Sequence, residues 1–165
     1  MNSILFLSTK IGQIAIEENG TAVTNVYFGN EAAISKAPVR ETELLKEAAR
    51  QLEQYFAGKQ REFSLPLAPD GTEFQQKVWR ALCSVPYGET RSYKEIAELV
   101  GSPKACRAVG MANNRNPIPI FIPCHRIIGA NGKLIGYRGG LDVKNQLLNL
   151  ENSDTGKFWN ITPKF

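Results

Sequence analysis

The chain is short of the residues that build most metal and disulfide sites. Its 165 residues include one histidine, His125, and three cysteines, Cys83, Cys106 and Cys124. Three cysteines without paired spacing exclude a disulfide framework and a zinc knuckle. A single histidine leaves a Cys/His zinc site without enough ligands. No run of about 18 apolar residues exists, so no membrane-spanning helix is expected. The opening MNSILFLSTKIGQIAIEENG has a short apolar stretch but no basic leader and no hydrophobic segment of proper length, so it does not read as a secretory signal. These absences point to a reduced, cytoplasmic chain with no metal and no cofactor. With 42% hydrophobic and 22% charged residues, the composition is that of a globular protein. Its length fits one mid-sized domain or two small ones.

Acidic residues are scarce in one segment only. Residues 1–73 carry 7 Lys/Arg against 10 Asp/Glu, a net of −3, whereas residues 74–144 carry 11 against 4, a net of +7. A basic segment of this kind suits a polyanionic partner, most simply nucleic acid, although it also suits a solvated surface.

The first third reads as β-structure. ILFLSTKIGQIAIEE, the turn signal Asn19-Gly20 and TAVTNVYFG predict a meander. Residues 41–57 then predict a helix, with Leu44, Leu45, Ala48, Ala49, Leu52, Tyr55 and Phe56 at helical spacing and Gly58 as its stop. REFSLPLAPDG marks a boundary near residue 70, dividing the chain into domains 1–69 and 70–165. The second domain opens with a helix at TEFQQKVWRALCSV. Thr72 and Gln75 have capping-box spacing, Phe74, Val78, Leu82 and Val85 form a stripe, and Trp79 and Cys83 are assigned to the core. SYKEIAELVG predicts the next helix, boxed by Ser92 and Glu95. SPKACRAVGMA predicts a third, with Ser102 as cap and Pro103 in its first turn. The last two make a helix-turn-helix. Ala105, Ala108, Val109 and Ala112 are expected to pack while Lys104 and Arg107 point elsewhere. This helix is built from small residues (Ala105, Cys106, Ala108, Gly110, Ala112), which permits close approach either to the rest of the protein or to DNA. IIGANGKLIGY predicts a hairpin around Asn131-Gly132, GYRGGL a glycine-rich loop, and DVKNQLLNLE a final helix. In the tail, Phe158 and Trp159 are candidate anchors.

The most concentrated chemistry lies in NPIPIFIPCHRIIG, residues 116–129. A cysteine attacks as thiolate, and a nearby histidine raises that fraction. Adjacency alone does not bring the two side chains together, because neighbours on an extended strand face opposite ways. A turn or a bridging water is needed, together with a third group to orient the imidazole. Asn116, Pro117 and Pro123 can shape such a turn. The residues alone leave catalysis and a buried, inert thiol both open.

The IPCHRIIG segment resembles the active-site signature of the O6-alkylguanine-DNA alkyltransferases, the methylated-DNA–protein-cysteine methyltransferases. The likeness runs in order through PYGET-SY, RAVG, NP-IP and GY-GGL, over about half the chain. The resemblance implies an α/β N-terminal domain, a small sheet plus helix, followed by a mainly helical C-terminal domain with a winged-helix-like helix-turn-helix. It implies single-turnover DNA repair, in which an alkyl group passes irreversibly from O6-alkylguanine to Cys124, with O4-alkylthymine as a second candidate substrate. His125 would act through water as base, Glu151 would orient it, and Asn116 would hold the turn. Tyr93 would help protonate the departing guanine, with Lys144 in the same network. Tyr137, Arg138, Gly139 and Asn113 would line the pocket. Arg107 would enter the base stack as the nucleotide flips, and Ser92, Lys104, Ala105, Cys106, Gly110 and Arg126 would contact DNA along the minor groove. Double-stranded DNA is the only partner implied, with no membrane, no obligate protein partner and a monomeric protein. A helix-turn-helix transcription factor would explain the basic helix but not Cys124, His125 and Glu151. A cysteine hydrolase would not explain Arg107 on a small-residue helix, and the presence of Cys124 argues against a non-catalytic alkyl-DNA binder.

Overall fold

The computed structural model describes residues 1–152, so Phe158 and Trp159 lie outside the described residues. It divides into two compact units, residues 1–70 with 117–121, and residues 71–116 with the chain from 122.

In the first unit, β1 (Ser3–Thr9), β2 (Gly12–Glu18) and β3 (Val23–Phe28) pair antiparallel in the order β1-β2-β3. This is the meander expected from the sequence. The register sets Ile14 opposite Phe28 and Ile16 opposite Val26. Along β2 the side chains alternate between faces, as a pleated strand requires. α1 (Glu43–Phe56) is capped by the Thr42 side chain, which accepts from the Leu45 amide, and it packs against β1 and β2. Ile14, Ile16, Leu45, Ala48, Leu52 and Tyr55 are fully enclosed in this unit. Ile4, Ala15 and Ala32 form a further cluster with Tyr27 and Ala37. Residues 117–121 join the unit through the Pro117 carbonyl, which accepts from the Val26 amide, and through an edge-on contact of Phe121 with Phe63 at 4.7 Å.

The second unit holds α2 (Glu73–Cys83), β4 (Arg91–Ser92), α3 (Tyr93–Leu99), α4 (Cys106–Asn114), β5 (Ile127–Ile128) and α5 (Leu141–Asn152). Both expected capping boxes form, Thr72 with Gln75 on α2 and Ser92 with Glu95 on α3. Trp79 is buried and its indole N–H donates to the Ala112 carbonyl at 2.9 Å, tying α2 to α4.

Four expectations need correction. Cys83 is exposed rather than in the core, because it sits one residue beyond the inward Leu82 on α2. α4 begins at Cys106 with Ala105 before it and no side-chain cap; Ser102 instead closes a turn, its carbonyl accepting from the Ala105 amide. Of the residues expected to pack on that helix, Val109 and Ala112 are buried, Ala105 is half-buried and Ala108 is exposed. The hairpin over 127–137 is reduced to a turn in which the Gly129 amide reaches the Lys133 carbonyl; Ile127 and Ile128 pair in parallel with β4 instead. The carbonyls that a hairpin ladder would use, at Ile127, Ile135 and Gly136, accept from Lys144.

Candidate active site

Cys124, His125 and Arg126 form one 3-10 turn, entered from Pro123. The turn breaks the strand-like alternation that would have sent neighbouring side chains apart. Its approach is fixed by Asn116, whose side-chain amide donates to the Ile122 carbonyl at 2.8 Å, and by the Cys124 amide, which donates to the same carbonyl. Just upstream, Ile120 is the one described non-glycine residue with positive φ, at 75°. A β-branched residue adopts that conformation only when its surroundings impose it.

Cys124 is buried, at 4% exposure. Burial pushes its pKa up, while the Asn116 side chain and the positive charges of Lys144 and Arg138 pull it back. The Tyr137 hydroxyl also lies against the thiol.

His125 is fully buried, and its Nε2 is 2.7 Å from Glu151 Oε2. Glu151 is held from the other side by Arg126, whose Nε and Nη2 donate to its two oxygens at 2.8 and 3.0 Å. Burial alone would raise the Glu151 pKa, but His125 and Arg126 outweigh it and keep the carboxylate ionised. For His125, burial outweighs the attraction of Glu151 and lowers the pKa, so the ring is neutral. An ionised carboxylate at Nε2 selects the tautomer that carries its proton there. Nδ1 is then the basic nitrogen, and it is buried without a hydrogen-bond partner.

A second network lies beside the first. The Lys144 ammonium is fully buried and donates to the Ile127, Ile135 and Gly136 carbonyls at 2.5, 2.9 and 3.4 Å. Burial lowers its pKa to about 8. Tyr93 donates its hydroxyl proton to the same Ile135 carbonyl at 2.9 Å. Burial, and then the Cys124 charge, push its pKa up to about 12. Asn113 donates to the Cys124 carbonyl at 3.2 Å, and Arg138 donates to the Asn116 carbonyl at 2.7 Å. Gly139 follows in the turn leading to α5.

On α4, Arg107, Ala108 and Met111 face outward, and Lys104 is exposed just before the helix. Cys106 and Gly110 are half-buried, and a side chain at Gly110 would meet the Tyr93 ring at 3.9 Å. Ser92 spends its hydroxyl on the α3 cap. Arg126, expected at DNA, is instead turned inward and 6% exposed. Its third donor reaches the Val85 carbonyl at 2.7 Å, and it lies over the Tyr87 ring. These partners of Arg126 and Lys144 had no sequence signal, because most of them are main-chain carbonyls from distant segments.

Comparison with known proteins gives a consistent picture. Residues 5–69 match the family model "6-O-methylguanine DNA methyltransferase, ribonuclease-like domain", and residues 73–153 match "6-O-methylguanine DNA methyltransferase, DNA binding domain". A methylated-DNA–protein-cysteine methyltransferase of Methanosarcina acetivorans is 55% identical over 85% of this chain and 90% of its own length. The constitutive methylated-DNA–protein-cysteine methyltransferase of Bacillus subtilis is 48% identical over 92% and 96%. The crystal structure of Mycobacterium tuberculosis OGT in complex with DNA superposes with a TM-score of 0.85 at 46% identity, covering 92% of this chain and 93% of that one.

Proposed function

The chain belongs to the 6-O-methylguanine DNA methyltransferase family and repairs DNA by taking the alkyl group onto one of its own cysteines; we propose that this cysteine is Cys124. The observation that carries the assignment is the orientation of His125. Glu151 occupies one ring nitrogen and leaves the other basic, buried and free, in the residue next to the thiol.

In this reading the thiol proton passes through a water to His125 Nδ1, and the resulting imidazolium is stabilised by Glu151. Sulfur attacks the alkyl carbon, an S–C bond forms and the C–O6 bond breaks. The departing guanine anion takes a proton from Tyr93. Tyr93 and Lys144 both donate to the Ile135 carbonyl, and this shared contact supports a role for the ammonium in that transfer. A thioether has no easy hydrolytic exit, so each molecule acts once. Arg126 serves here as a positioning residue for Glu151. Asn116 holds the approach to Cys124, and Tyr137, Arg138, Gly139 and Asn113 bound the base pocket.

The partner is double-stranded DNA. α4 enters the minor groove, and Arg107 fills the stack vacated by the flipped nucleotide, because a stacked base cannot reach a buried thiol. Ser92, Lys104, Ala105, Cys106 and Gly110 flank that contact. O4-alkylthymine remains the second candidate substrate. We place the protein in the cytoplasm as a monomer; no helix among the described residues is long and apolar enough to cross a membrane. Incubation with duplex DNA containing O6-methylguanine is expected to add one methyl group per chain by intact mass. Cys124→Ala is expected to abolish that gain. Demethylation of DNA without protein modification would overturn the assignment.

A further inference from the structure

In GYRGGL the backbone takes positive φ at Gly136 and Gly140, and the Gly140 amide closes on the Tyr137 carbonyl at 2.9 Å. Glycine adopts that conformation without the penalty a Cβ would bring. In the loop so formed Tyr137 is buried and Arg138 is exposed. An exposed arginine ordinarily keeps its charged head in water. Arg138 instead folds back, and its Nη1 donates to the main-chain carbonyl of Asn116 at 2.7 Å. Asn116 is 1% exposed. Its side-chain amide and the main-chain amide of Cys124 share one acceptor, the Ile122 carbonyl, each at 2.8 Å. Arg138 therefore grips the residue that holds the thiol-bearing turn.

We propose that Arg138 is a positioning residue for alkyl transfer: it clamps the Asn116 carbonyl, so that the Asn116 amide stays on the Cys124 turn, and its guanidinium favours negative charge on the attacking sulfur. This rests on Cys124 being the alkyl acceptor, as argued above. The charge matters as well as the contact. Burial opposes a thiolate at Cys124, whereas the Asn116 side chain, Lys144 and Arg138 favour it. The other ionisable groups around the turn supply no free positive charge. His125, Tyr93 from α3 and Tyr137 from the loop are neutral, and Arg126 is paired with Glu151 of α5. Lys144 has a pKa of about 8, so it loses its charge as the pH rises into the range where thiols ionise. A guanidinium keeps its charge throughout that range.

The test follows methyl transfer from duplex DNA containing O6-methylguanine as a function of pH, with protein in saturating excess, in wild type, Arg138→Gln and Arg138→Lys. Affinity for undamaged duplex is measured alongside. In Arg138→Gln, transfer at pH 7 is expected to be about tenfold slower, with the rise of rate with pH displaced about one pH unit upward. Duplex affinity is expected to stay within about threefold of wild type, as for a residue that makes no phosphate contact. Arg138→Lys keeps a charge without the planar fork and is expected to recover part of the displacement. A slower rate with an unmoved pH profile would reduce Arg138 to a structural clamp and overturn the proposal. A loss lying wholly in duplex affinity would overturn it too. Failure of the alkyl-acceptor reading looks different: peptide mapping of the reacted wild-type protein then finds the methyl group on a residue other than Cys124.

Discussion

Glu151 is shared by His125 and Arg126, and all three are buried. A buried carboxylate stripped of one cationic partner is strongly destabilising. Arg126→Met is therefore expected to lower stability by about 3 kcal/mol in denaturant unfolding. Arg126→Lys keeps the charge but not the two-pronged contact and should recover only part of the loss. A full recovery would mean that the fork geometry is unimportant. His125 carries its own pH signature. Its folded pKa lies below the ordinary 6.5, so on acidification the unfolded chain takes up the proton first and the folded state loses ground. Because it is the only histidine, a fall in Tm between about pH 7.5 and 5.5 is expected in wild type and should flatten in His125→Gln. An equal slope in both would show that His125 is not held neutral.

Among the elements, α4 carries the outward Arg107 and the inward Val109 and Ala112. If Arg107 fills the stack behind a flipped nucleotide, Arg107→Ala should slow transfer from duplex DNA by about tenfold or more and leave reaction with a free O6-alkylguanine base nearly unchanged. Equal loss on both substrates would contradict that role. The limits of sequence reading are also clearest here. Thr72 with Gln75 and Ser92 with Glu95 were legible because a capping box is a contact between residues three apart. The start of α4 was misplaced because Ser102 and Pro103 carry the local pattern of a helix start, yet the chain spends them on a turn. The 127–137 hairpin was misread because the competing donor, Lys144, comes from another element. Arg126 could not be placed for the same reason: its Val85 and Glu151 partners lie 41 and 25 residues away.

For the whole molecule, the positive charge of residues 74–144 agrees with a chain whose partner is DNA, and phosphate contacts allow sequence-tolerant search. The residue types of the proposed site were visible in IPCHRIIG and Glu151, while the contact of His125 Nε2 with Glu151, on which the proposed base role rests, needed the folded chain. The central claim concerns which of three thiols is used. Cys83 is exposed and Cys106 is half-buried on α4, so both are more accessible than Cys124. The most direct measurement is peptide mapping of the protein after reaction with one equivalent of duplex containing O6-methylguanine. One methyl group on the Cys124 peptide, with Cys83 and Cys106 unmodified and no uptake from undamaged duplex, is the predicted result. Methyl on Cys83 or Cys106, or repaired DNA with all three thiols intact, would contradict the account.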